Sequence, residues 1–323
     1  MERVLLLGDI HANDAALAAV FNDVADRLRG RRPAVWFLGD LFGRGPQPAR
    51  AYRRLLSHAP AALVVGNHES GLVGRYQSIQ FGDALAGPYN RDDWAVLLRH
   101  REELCVQGLL QCQGESVSGE IFDFIDRLPV ICAPQPTIYM VHGGLESPFA
   151  PPDDLSAWLD RLVWEYTNQP QRAAATLAAM SWVAEQRPAD GRICLSAEAA
   201  APELVLVGHW HARLLYDATD GDWLNPPRLN QPYPLEGRRV VLSPGSVGFP
   251  RQNGDLDASY ALLTLRDRRP IDITFHTVAY DRRPVRDEMV RKGYPEATVK
   301  RLRLPGETET VARPAGPDLP RRR

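Results

Sequence analysis

The stretch Val4-Leu5-Leu6-Leu7-Gly8-Asp9-Ile10-His11-Ala12-Asn13 decides how the rest of the chain is read. A short apolar run ends in glycine, an acid and an imidazole follow two apart, and a helical pattern begins at Asp14. Side chains at the carboxyl end of a buried strand face the crevice where open α/β sheets bind ligands. Asp9 and His11 are therefore a metal-ligand pair that calls for partners.

Working outward, the same pattern recurs. Ala34 to Leu38 leads into Gly39-Asp40-Leu41-Phe42-Gly43-Arg44-Gly45-Pro46, and Ala61 to Val65 leads into Gly66-Asn67-His68-Glu69. Thr137 to Val141 delivers His142-Gly143-Gly144, and Leu204 to Val207 delivers Gly208-His209-Trp210-His211. Each is an apolar run of strand length closed by a turn that carries Asp, Asn or His. Five of the 8 histidines lie in these exits, a concentration that singles them out as one site.

Asp-x-His, Gly-Asp-x(3)-Arg-Gly, Gly-Asn-His-Glu, His-Gly-Gly and Gly-His-x-His in this order resemble the calcineurin-like metallophosphoesterases. Pro244-Gly245-Ser246-Val247-Gly248 and Ser259-Tyr260-Ala261-Leu262-Leu263 resemble the closing strands of the bacterial branch. The resemblance implies an α/β fold, a four-layer α-β-β-α sandwich of two mixed sheets with helical insertions. It also implies a dinuclear site in which Asp9, His11 and His211 hold one metal, Asn67, His142 and His209 hold the other, and Asp40 bridges them. Imidazole, carboxylate and amide together suit Mn²⁺, Fe²⁺, Zn²⁺ or Ni²⁺ over an all-oxygen Mg²⁺ or Ca²⁺ site, and Mn²⁺ is the expected ion.

His68, beside the ligand Asn67, occupies the family's catalytic position. The implied role is to stabilise the transferring phosphoryl group or protonate the leaving oxygen. Arg44 stands at the arginine of the protein phosphatases' Asp-Arg-Gly triplet, where a guanidinium forks onto phosphoryl oxygens, so Arg44 and His68 are also the substrate-binding residues. Two departures stand out. Gly43 replaces the aspartate that orients the catalytic histidine, which leaves Glu69 or an acid from the insertions to support His68. Ser243 replaces the usual Asn before Pro-Gly-Ser.

The implied activity is metal-dependent hydrolysis of a phosphate ester, a phosphodiester or nucleotide-type substrate, by a metal-bridging hydroxide. Bis(5'-nucleosyl)-tetraphosphatase, which the Arg44-Gly45-Pro46 loop resembles, and serine/threonine protein phosphatase are the alternatives within the same chemistry. A non-catalytic interaction scaffold would have lost ligands, and every ligand position is filled. A nuclease would need a basic groove. The formal charge of −2 gives no support for one.

Around the motifs, Asn13 or Asp14 caps a helix with apolar positions Leu17, Val20, Phe21, Val24 and Leu28, and Pro48 starts a second. The order β-α-β-α-β predicts parallel strands. Two stretches read as helical cap insertions, at about 70–130 and 150–200, near the metal crevice. Trp158, Trp164 and Trp182 read as packing residues of that cap, with base stacking as the alternative. After a loop or hairpin from Asp217 to Gly237 come strands at Arg239 to Leu242, Tyr260 to Leu265 and Ile271 to Val278. Residues 1–280 are expected to form the catalytic domain. A helix pair near Val285 to Lys292 and Pro295 to Leu302 follows, then a basic, partly disordered tail within 281–323.

Cys105, Cys112, Cys132 and Cys194 form no Cys-x-x-Cys pair and read as small buried residues without chemistry. No apolar run approaches the roughly 18 residues of a membrane helix or the 7–15 of a signal core, so the expected location is cytoplasmic.

Overall fold

The computed structural model describes residues 1–74, 89–113, 116–251 and 256–307. The chain opens with β1 (Glu2–Leu7), α1 (Asp14–Arg27), β2 (Ala34–Phe37), α2 (Pro48–Ser57) and β3 (Ala62–Leu63). β1 pairs in parallel with β2, and β2 with β3, as strands joined by helical crossovers must. The Asn13 side chain accepts from Ala16 N at 3.1 Å and so caps α1.

The middle of the chain holds α3 (Asn67–Leu72), α4 (Arg91–Val106), β4 (Gln111–Gln113), β5 (Ser116–Ser118) and α5 (Glu120–Asp126). Then come β6 (Ile131–Gln135), β7 (Ile138–Val141), α6 (Leu155–Leu162), α7 (Pro170–Gln186), β8 (Ile193–Leu195) and β9 (Leu204–Leu206). The chain continues through β10 (Arg213–Asp217), β11 (Asp222–Leu224), β12 (Pro232–Pro234), β13 (Val240–Pro244), β14 (Ala258–Arg266) and β15 (Arg269–Val278) to α8 (Arg283–Arg291) and α9 (Glu296–Arg301).

Two mixed sheets result. One has 6 strands in the order β12-β15-β14-β1-β2-β3, and the other has 7 in the order β11-β10-β13-β9-β7-β6-β8. Alternation along β1 explains how they stack. Val4 and Leu6 enter a core shared with Met140, Leu206 and Leu242 of the second sheet, whereas Leu5 and Leu7 enter the helix-side core with Leu17 and Val20 of α1. Each fully buried aliphatic side chain contributes about 1.5–3 kcal/mol, so both faces of the sheet are strongly specified. α7 covers β9, β10 and β13 from the other side. The expected sandwich of two mixed sheets between helices is the fold observed.

Several local expectations change. The stretch from Ser70 to Arg127 reads as helices and loops, yet it contains the β4–β5 hairpin; residues 75–88 of it lie outside those described. β6 and β8 escape a periodicity reading because β6 carries Pro134 and β8 is a 3-residue edge strand. The Asp217 to Gly237 excursion splits between sheets, β11 pairing with β10 and β12 with β15. The tail expected to be disordered lies outside the described residues from 308 onward.

The cysteine reading needs correcting. Cys105 and Cys112 are joined as a disulfide, because the turn from α4 into β4 brings their Cα atoms to 6.6 Å, and Cys194 is exposed. Trp158 and Trp182 pack edge to face with centroids 5.6 Å apart, as cap-core residues do. The C-terminal helices are not peripheral. Val285, Met289, Tyr294, Val299 and Leu302 form a small core with Val96 of α4 and Phe249. Among the described residues, no helix is long and apolar enough to cross a membrane.

Candidate metal centre

The strand exits converge at one end of the two sheets. The β1 exit is clasped between two others: His11 N donates to Asp40 O at 2.8 Å, while Gly248 N and the Ser246 hydroxyl donate to Asp9 O at 3.1 and 2.8 Å. Ser243, the departure noted above, serves this clasp by accepting from Gly245 N at 3.2 Å. Asp9, His11, Ala12, Asp40, Arg44, His209 and His211 all have φ between 47° and 62°. Left-handed backbone at a non-glycine residue costs on the order of 1–3 kcal/mol, and such residues concentrate where function demands a particular geometry.

Two groups of donor atoms result. One atom each from Asp9, His11, Asp40 and His211 lie within 4.8 Å of one another, and so do atoms from Asp40, His142 and His209. Asp40 belongs to both groups. Asn67 joins the second, its Oδ1 lying 3.2 Å from His142 Nε2. All seven residues implied as ligands are thus in one place.

The hydrogen bonds around the imidazoles determine which nitrogens are free. A backbone carbonyl only accepts, so the ring nitrogen facing it must carry the proton. His11 Nδ1 faces Phe42 O at 2.8 Å and His211 Nδ1 faces Phe249 O at 2.8 Å. Both Nε2 atoms are therefore bare, yet they point at each other across 2.9 Å. His142 Nδ1 faces Leu38 O at 2.6 Å, leaving its Nε2 toward Asn67 Oδ1 and toward Asp40 Oδ2 at 3.3 Å. His209 uses the opposite tautomer. Its Nε2 faces Trp164 O at 2.9 Å, and its Nδ1 is buried without a partner among the described residues. Asp9 Oδ2 is likewise buried and unpartnered among the described residues. Acceptors aimed at acceptors in a buried site fit divalent cations, and imidazoles oriented through their other nitrogen are the usual metal-ligand arrangement.

The electrostatics agree with this fit. Burial pushes the imidazoles of His11, His209 and His211 well below their ordinary value, so they are neutral, as ligation requires. Burial, with Asp40 adding to it, also pushes Asp9 up to about 7, although His142 opposes. Burial opposes charge on Asp40 too, but His142 and His68 outweigh it and hold this carboxyl well below the usual range. His142 is the counterpart: against burial, Asp40 lifts it to about 9.

Glu69 is not the acid that supports His68. Its carboxylate accepts from the backbone of Asp40, Leu41, Phe42 and Gly66 at 2.7, 2.6, 3.2 and 2.8 Å, which braces the Asp40 turn. Burial lowers the His68 imidazole, and two acids oppose it, Asp40 and then Asp93 of the α4 insertion. Asp93 Oδ2 lies 3.9 Å from Arg44. Asp93 also accepts from Arg301 at 2.9 Å. Burial would raise Asp93, but Arg44 and then Arg301 hold it well below the carboxylate range.

Other residues at the site also went unnoticed in the sequence. His100 of α4 accepts from Gly43 N at 3.2 Å and donates to Gly45 O at 2.8 Å, which grips the Arg44 loop from both sides. Tyr294 adds a hydroxyl donation to Gly45 O at 3.1 Å. Tyr166 stacks on His209 with centroids 4.5 Å apart, and Arg251 lies over Tyr166. Only the Asn90-x-x-Asp93 helix-cap pattern offered a local signal, and that signal speaks of helix ends.

Among solved structures, the chain is similar to a metallophosphoesterase from Sphaerobacter thermophilus, with 26% identity, a TM-score of 0.60, and coverage of 93% of this chain and 98% of that one. A hypothetical protein from Pyrococcus horikoshii shares the fold at 19% identity and a TM-score of 0.56, over 95% of this chain and 100% of that one. An uncharacterised protein of Methanocaldococcus jannaschii is 24% identical over 301 residues, 93% of this chain and 97% of its own length. The family model for calcineurin-like phosphoesterase matches residues 2–213, which span every strand exit of the Asp and His cluster. By that match and by the divalent-metal site its residues build, the chain belongs to the calcineurin-like phosphoesterase family.

Proposed function

We propose that this protein is a dinuclear-metal phosphoesterase that hydrolyses small phosphate esters, of phosphodiester or nucleotide type. The observation that carries the reading is the shared position of Asp40 between the two donor groups. Asp9, His11 and His211 would hold one ion, Asn67, His142 through Nε2 and His209 through Nδ1 the other, with Asp40 between them. Manganese is the first ion to test, and the same donor chemistry accommodates iron, zinc and nickel. In this reading residues 1–280 are the catalytic unit, and the inserts at about 70–130 and 150–200 border its mouth.

When bound, two such ions neutralise phosphoryl charge and make a nucleophilic oxygen available near neutral pH. The chain's own residues would do the rest. Arg44 is buried, and burial lowers its guanidinium to about 10, so it stays charged at neutral pH. Among the described residues its Nε has no partner and its ion pair is a 3.9 Å contact to Asp93, so it has donors to fork onto phosphoryl oxygens. His68 Nδ1 is buried without a partner among the described residues. Burial lowers this imidazole and the acids oppose; an arriving anion adds to the opposition and favours the protonated form, which gives its proton to the leaving oxygen.

The protein phosphatase alternative is disfavoured by Gly43. A Cβ there would collide with the His68 ring, so the second aspartate of that triplet has no room. The scaffold alternative is disfavoured by the complete donor set.

The test is one assay of metal-stripped protein with Mn²⁺ added back, against bis-p-nitrophenyl phosphate, p-nitrophenyl phosphate and diadenosine tetraphosphate. Metal-dependent cleavage that vanishes in Asp40→Ala is the expected outcome. His68→Ala should slow turnover with both ions retained. Undiminished activity in Asp40→Ala would remove the bridging role, and silence on all three esters with two ions bound would remove the phosphoesterase reading.

A further inference from the structure

Arg251 is an arginine beside the donor cluster that the family motifs leave without a role. Its backbone N donates to His211 O at 3.1 Å, and it lies two residues beyond Phe249, whose carbonyl fixes His211 Nδ1. Its guanidinium carbon sits 5.7 Å from the centroid of Tyr166 and 6.0 Å from that of Trp210. Its Nη1 lies 3.5 Å from the Tyr166 hydroxyl. Tyr166, in turn, lies two residues beyond Trp164, whose carbonyl fixes His209 Nε2, and it stacks on His209 with an interplanar angle of 17°. The segments that orient one histidine of each donor group thus also build a rigid seat for one cation.

That cation has no carboxylate within ion-pair distance among the described residues. Asp93 is engaged by Arg44 and Arg301. The donor set contains only two carboxylates, Asp9 and Asp40, so loading it with divalent ions leaves both arginines in a positive environment. One phosphoryl group placed on the ions and Arg44 leaves Arg251 uncompensated. The aromatic rings do not offer a base platform instead, because the Tyr166 ring is engaged by His209 and Arg251.

We propose that Arg251, seated on Tyr166 and Trp210, forms a second anion subsite that takes a phosphoryl group joined to the one attacked, which selects substrates with a P–O–P linkage. The inference rests on the phosphoesterase reading for the placement of the first phosphoryl group. Hydrolysis of such a linkage consumes one water, whose hydroxyl ends on the attacked phosphorus and whose remaining proton ends on the departing phosphate oxygen.

The test uses full-length protein at fixed free Mn²⁺, with orthophosphate and pyrophosphate as probes in titration calorimetry, and with metal content measured alongside. Wild type should prefer pyrophosphate. In Arg251→Met that affinity should fall about tenfold or more, as loss of a charge-assisted pair implies, while orthophosphate affinity changes less than about threefold and both ions stay bound. Arg251→Lys, which keeps charge but not the planar fork, should fall between them, and it gives the answer if the methionine variant does not fold. Equal losses for both probes, no loss for either, or a wild type without preference would overturn the subsite. If wild type shows the preference and Arg251→Met loses it, yet no ester is cleaved, the subsite stands and the phosphoesterase reading falls.

Discussion

The imidazole of His68 lies directly over the Cα of Gly43, so that a Cβ at position 43 would collide with Nδ1. Gly43 also has φ +81°, a backbone conformation that side chains resist. One glycine therefore meets two demands, the tight turn that carries Arg44 and the space that seats His68.

Gly43→Ala should displace the His68 ring and strain the turn. Stability is expected to drop by about 1–3 kcal/mol in chemical denaturation, and turnover by roughly tenfold or more, since a mispositioned acid–base group forfeits most of its contribution. A variant with wild-type stability and rate would show that the turn yields at no cost.

The bare Nε2 atoms of His11 and His211 lie 2.9 Å apart and place lone pair against lone pair. A divalent ion relieves that repulsion and binds only the folded chain. Thermal denaturation should therefore shift upward by several degrees when Mn²⁺ is added to stripped protein, and EDTA should reverse the shift. A melting temperature indifferent to metal would count against the site.

Asp93 lies between Arg44 and Arg301, at 3.9 and 2.9 Å. Asp93→Asn leaves two largely buried guanidinium groups without their shared counter-charge. The expected cost is about 3–5 kcal/mol of folding stability, with a raised KM as Arg44 loses its anchor. Unchanged urea unfolding together with unchanged KM would show that the acid holds neither arginine.

Burial pushes His100 down to about 3, and it is neutral while it grips the Arg44 loop. Its folded value lies below the ordinary 6.5, so the unfolded chain takes up a proton that the folded chain refuses. Stability from this group is complete above the unfolded value and is lost as pH falls from about 6.5 toward 3. His100→Asn, which retains a donor and an acceptor, should flatten the acid limb by up to about 1.4 kcal/mol per pH unit in that window. Acid denaturation of the two proteins, followed by circular dichroism, measures the difference, and parallel limbs would contradict it.

The sequence by itself determined the architecture and which Asp, Asn and His residues gather at one place. Apolar runs of strand length, each closed by Asp, Asn or His, are local patterns, and their order along the chain places Asp9, His11, Asp40, Asn67, His142, His209 and His211 at one sheet end. Only the tertiary structure decided how that set is held. The carbonyls that select each imidazole tautomer come from Phe42, Leu38, Trp164 and Phe249, at sequence separations of 31 to 104. Asp93, His100 and Arg251 reach the centre through α4 and through the loop after β13, and no periodicity marks a side chain that crosses from one element to another. Glu69 shows the same limit from the other side: its place beside His68 in the chain suggested a partner, but helix α3 turns its carboxylate onto the backbone of the Asp40 turn. Local patterns record which face of a strand or helix is apolar. Which neighbour a polar atom finds depends on how the elements pack.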